Sequence, residues 1–208
     1  MRPAGGWRVG ATAAVVTAIA LGACGGASPS LSTADPLHDL ITIDQLVAPD
    51  FTVTSAPAHV GAATLAAGDS SAATALSRNG LQSAARVEFQ RGVDFGLSNG
   101  PIDVVATVER FADAGGASSA YGVSVRQVDA IQGAVPTSTG PLGDEAHAVS
   151  VVRTTSSGIA AVEITVVWRV GNLLNIVVAR GRYGGTRLDD ALVLAGLQTQ
   201  NESRSGAA

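Results

Sequence analysis

Two β-branched runs separated by a three-residue break constrain this chain more than any other feature. Residues 159–169 (IAAVEITVVWR) and 173–181 (LLNIVVARG) are strand-like, and Val170-Gly171-Asn172 between them reads as a tight hairpin turn needing positive φ at Gly171. An isolated hairpin is marginal in water, so this pair must belong to a larger sheet with a covered apolar face.

Further strands come from the same period-2 rule. Leu81, Ser83, Ala85, Val87 and Phe89 alternate with Gln82, Ala84, Arg86, Glu88 and Gln90, a half-buried strand. After a turn at Ser98-Asn99-Gly100-Pro101, residues 102–111 (IDVVATVERF) give another, and 145–153 a third. Helical signals interrupt them. Asp69 to Leu76 reads as a short helix with Asp69 or Ser70 as N-cap and Asn79-Gly80 as its stop. From Ala117 to Ile131, residues Ala117, Ala120, Tyr121, Ser124, Val125 and Val128 recur at three- and four-residue steps and form a face that should cover the sheet. Thr186 with Asp189 makes an approximate capping box, followed by an apolar face at Leu188, Ala191, Leu192, Ala195 and Leu197. Leu40 to Phe51 is a short apolar piece, Gly133 to Gly143 a loop, and residues 201–208 a frayed tail. The order α-β-β-α-β-β-β-α predicts an α+β fold: a mostly antiparallel sheet of about five strands with two or three helices packed on it, in a single domain over 36–200.

The N-terminus obeys a different logic. Arg2 and Arg8 precede an uncharged run from Val9 to Ala23, the basic and apolar regions of a signal peptide over residues 1–23. As a helix that run would reach only about 22 Å against roughly 30 Å of hydrocarbon, too short for a permanent span. Cys24 is the only cysteine, so no intrachain disulfide forms. Residues 24–35, with Pro29 and several serines, read as a flexible tether. Removing residues 1–23 leaves 11 arginines against 17 acidic residues, a formal charge of −6, which argues against nucleic acid as a partner.

Leu21-Gly22-Ala23-Cys24 resembles the lipobox of bacterial lipoproteins. The resemblance implies that Cys24 is acylated, with palmitate or a similar chain, after cleavage before it, and that the protein is held at the extracytoplasmic face of the cell membrane. Leu40-Ile41, Asp44, Leu46, Pro49 and Phe51 resemble the segment that follows the tether in uncharacterised actinobacterial cell-envelope lipoproteins, and the element order resembles Mog1/PsbP-type domains. Fold alone would not fix function.

Chemistry-bearing motifs are few. There is no G-x-S-x-G elbow, no G-x-G-x-x-G and no Walker A sequence, and the only thiol is assigned to the lipid, so neither a catalytic residue nor a cofactor is expected. Asp144-Glu145-Ala146-His147 places Glu145 and His147 on one strand face as candidate metal ligands, two rather than the three a catalytic zinc needs. The alternative is that Gly143-Asp144 is simply a turn opening the strand. Trp168, Arg169, Arg182 and Tyr183 form a candidate aromatic-cationic patch for a ligand or glycan, against the alternative that the tryptophan is core and the arginines solvated.

The expected function is therefore a non-enzymatic binding or envelope-accessory domain, its partner a small molecule, a glycan or an envelope protein. The competing expectations are an extracytoplasmic hydrolase or metal-dependent enzyme without a linear motif, and a sensor or accessory subunit of an envelope signalling or transport system. An apolar pocket between helix 117–131 and the sheet would favour small-ligand binding; a contiguous exposed apolar patch would favour a protein partner.

Overall fold

The computed structural model describes residues 31–46, 48 and 50–206. The signal peptide, Cys24 and the tether up to residue 30 lie outside the described residues.

Strands β1 (Phe51–His59), β2 (Leu81–Arg91), β3 (Asp103–Phe111), β4 (Ala134–Thr137), β5 (Glu145–Thr154), β6 (Ala160–Val170) and β7 (Leu173–Arg182) form one sheet in the order β1-β2-β3-β7-β6-β5-β4. Every neighbouring pair is antiparallel. Between them run α1 (Ala62–Leu65), α2 (Ser70–Arg78), α3 (Ala114–Asp129) and α4 (Leu188–Ser205). The expected α+β layout of about five strands and two or three helices is thus corrected, among the described residues, to seven strands and four helices. Both missed strands are edges. In β1 only Phe51 is buried, and β4 is four residues long with Pro136 inside it, so neither carries the alternation that marks a half-buried strand. Helix α1 is a single turn.

The β6–β7 hairpin forms as expected, with Val170 opposite Leu173 and Gly171 at φ 57°. Successive strand residues point to opposite faces, so the sheet builds two cores. One face carries Val87, Phe89, Val108, Val166, Trp168 and Val177 against Ala191, Leu194 and Ala195 of α4, with Leu40 and Ile41 of the leading segment closing it. The other carries Phe111, Val167 and Leu174 against Ala117 and Ala120 of α3, with Leu76 of α2 at its margin.

The leading segment is strapped to the domain from Ser32 onward. Ser32 N donates to Asn172 Oδ1 at 2.7 Å, Asn172 Nδ2 donates back to Ser32 O at 3.1 Å, and Arg110 Nη1 donates to the carbonyls of Thr33 and Ala34. At the other terminus, α4 continues to Ser205 rather than fraying from Asn201, because Asn201 and Glu202 are buried against that segment. Among the described residues no helix is long and apolar enough to cross a membrane.

Candidate functional site

The structure satisfies the two candidate metal ligands separately. Glu145 and His147 do share a face of β5, but Glu145 Oε2 accepts from Arg169 Nε at 2.7 Å, and the same guanidinium donates to Asp144 Oδ2 at 2.9 Å. His147 Nε2 instead meets Asp129 Oδ1 at the end of α3, 2.7 Å away. A guanidinium on the carboxylate repels a cation there, and among the described residues no three His, Cys, Asp or Glu side chains gather as a metal site.

Nor do the four residues of the candidate patch come together. Trp168 is fully buried and donates Nε1–H to Thr199 Oγ1 of α4 at 3.0 Å. Arg169, its neighbour, points to the opposite face, where it holds Asp144, Glu145 and the carbonyl of Gly171. Arg182 lies at the other end of the hairpin, opposite Ala161, and donates to Ser98 O; Tyr183 beside it is exposed. Seven residue steps of strand separate Ala161 from Trp168, roughly 23 Å.

Between α3 and the sheet, where an apolar pocket would favour small-ligand binding, lies a cavity of about 290 Å³. Its roof is the α1–α2 hairpin, through Leu65, Ala72 and Ala75, and its side wall is Ala120, Val123 and Ser124 of α3. Local sequence explains the roof. Asp69 caps α2 by accepting from the amides of Ser71 and Ala72, and the Ser71 hydroxyl together with those amides holds its carboxyl below the ordinary range. The link from α1 turns through Ala67 at φ 48°, a left-handed residue without the glycine that such a turn prefers. Wall and roof are locked where α3 crosses the end of α2: Gly116 sits so close to the Asn79 carbonyl that a Cβ there would be 2.1 Å from its oxygen.

The floor carries the site's only deeply buried charge-bearing group among the described lining residues. Glu109 lies on central strand β3, opposite Ala84 of β2 and Leu174 of β7, and is 4% exposed. Its Oε2 has no hydrogen-bond donor, and burial pushes its carboxyl up to about 7. Leu174 in turn pairs with Arg169, so the guanidinium in the same cross-strand row stands two strands away and is already bonded. Chemically the cavity is a small apolar chamber with an unsatisfied acceptor at its base.

No protein-family model matches the chain, and no curated protein matches it. Among solved structures it is similar to the extracellular domain of PknH from Mycobacterium tuberculosis, with a TM-score of 0.56 at 12% identity over 80% of this chain and 93% of that one. At that identity the likeness is one of fold.

Proposed function

We propose that this chain is a lipoprotein anchored through Cys24 at the extracytoplasmic face of the cell membrane, and that its domain is a non-enzymatic binding module for a small ligand, serving an envelope sensor or accessory system. The observation that carries the binding reading is the cavity between α3 and the sheet, which is concave, walled mainly by aliphatic side chains and furnished with a single buried acceptor. The anchor rests on Leu21-Gly22-Ala23-Cys24. The extracytoplasmic, sensor-like setting is supported by the fold's likeness to an extracellular domain.

Two experiments test this. In a GC-rich Gram-positive host fed an alkyne fatty acid, the wild type should be labelled, shortened by the 23 residues before Cys24 and membrane-bound, whereas Cys24→Ala should be unlabelled. A wild type released unlabelled sinks the anchor. For the cavity, a small-molecule thermal-stabilisation screen on the full chain should give compounds that stabilise the wild type but not Ala75→Met, whose longer side chain fills the chamber. A screen whose hits act equally on both proteins, or that gives none, overturns the binding reading.

A further inference from the structure

Resting on that cavity reading, we infer that the chamber recognises a small organic monocation, a primary ammonium on a short apolar stem, with the Glu109 carboxylate as its counter-ion.

The contrast with four other carboxylates of the sheet and its turns is the starting point. Asp103 and Glu163 share Arg180, at 3.1 and 2.6 Å, and Asp144 and Glu145 share Arg169. Each of those acids is matched by a guanidinium from within the fold. Glu109 alone among these five is the most deeply enclosed and has neither a guanidinium nor any donor on Oε2. Buried acceptors are normally satisfied, which leaves Glu109 Oε2 open to a donor from outside the fold.

Sign, size and donor set narrow what that donor is. No arginine lines the chamber, and its other acidic group, Asp69, sits at the rim, so the field favours a cation and disfavours an anion. A divalent metal is a poor fit, because calcium wants six to eight oxygens and the chamber's depth supplies one carboxylate. An ammonium needs only a few acceptors, and Ser124 and Gln127 add polar atoms to the wall beside Glu109. About 290 Å³ is the liquid volume of roughly ten waters, room for a short stem against the methyl groups of Ala72, Ala75, Ala120 and Val123.

The test is calorimetric titration of the full chain at pH 8, where the Glu109 carboxyl is ionised, with n-butylammonium, n-butanol and butyrate as cationic, neutral and anionic probes of one size. The wild type should bind n-butylammonium at least tenfold more tightly than n-butanol, with no binding of butyrate. Glu109→Gln, checked for folding by circular dichroism, should bring n-butylammonium down to the level of n-butanol. Ala75→Met should lose both. Equal binding of n-butylammonium and n-butanol by the wild type, or an unchanged preference in Glu109→Gln, overturns the counter-ion role while leaving the cavity a binding site. If none of the three probes binds, this inference falls, and the stabilisation screen decides the cavity reading separately.

Discussion

Gln45 and Asn201 join their side-chain amides reciprocally: Gln45 Nε2 donates to Asn201 Oδ1 at 2.9 Å, and Asn201 Nδ2 donates back to Gln45 Oε1 at 3.0 Å. Asn201 Nδ2 also lies 2.9 Å from the Leu40 carbonyl, so one side chain on α4 ties down a stretch of chain 161 residues away in sequence. The leading segment therefore belongs to the cooperative core.

Asn201→Ala should lower unfolding stability by about 1–3 kcal/mol, because it orphans the Leu40 carbonyl and the Gln45 amide together. Urea denaturation measures the loss. A change within a few tenths of a kcal/mol would mean that the pair is replaced by water at no penalty.

Glu109→Gln should stabilise the protein in a pH-dependent way. The folded carboxyl titrates at about 7 against an ordinary value of 4.5, so the folded state holds its proton more tightly. Stability is full below about pH 4.5 and falls as pH rises to about 7. A neutral glutamine escapes that fall, and the gain over wild type at pH 8 should be on the order of 3 kcal/mol. Denaturant midpoints at pH 4.5 and 8 check it: the difference between the two proteins should open only at the higher pH.

Ala67→Gly should raise stability by about 1 kcal/mol. The left-handed backbone at φ 48° is strained for a residue with a Cβ, and glycine relieves it at the loss of one exposed methyl from the chamber's lining. Thermal unfolding reads the shift.

Gly116→Ala should have the opposite sign, a loss of about 1–3 kcal/mol. The added methyl meets the Asn79 carbonyl oxygen at 2.1 Å, and backbone there cannot swing aside as a side chain tip would. Because the clash pries α3 off the end of α2, ligand-induced stabilisation should weaken in the same variant.

Much of this architecture can be read from residue patterns, and the exceptions have physical causes. The β6–β7 hairpin follows from Gly171, and α2 begins at the Asp69 cap that its sequence advertises. The α4 cap lies one residue later than Thr186 and Asp189 suggest: Asp190 accepts from the Arg187 amide, while Thr186 Oγ1 donates to Gly100 O. Thr186 is engaged by a loop distant in sequence, which no local pattern contains.

The candidate site is a harder case. Glu109 sits in a run, Val104 to Phe111, with apolar residues on both faces, the mark of a central strand covered twice. That signal was present, and it implies that a glutamate in the run is buried. What it lacks is the partner list, since only the three-dimensional packing shows that Arg86, diagonal to it on β2, pairs with Glu88 and that no donor among the described residues reaches Glu109 Oε2. The candidate patch around Trp168 misled for the same reason in reverse. Neighbours in sequence alternate faces on a strand, so Trp168 and Arg169 never share a surface.

If Cys24 carries the proposed lipid, the strap at Ser32 to Ala34 limits how far the domain can stand from the membrane. Arg110, which grips it, is the residue after Glu109, and Asn172, which grips it too, is in the turn beside Leu173 and Leu174. The strap thus lies within a few ångströms of the strand that floors the chamber. Only eight residue steps separate Cys24 from Ser32, at most about 28 Å of covalent reach. If Cys24 carries the proposed lipid, a chamber moored on so short a line would sample the solution close to the headgroups, where solute concentrations and ionic atmosphere are those of the interface and not those of the bulk.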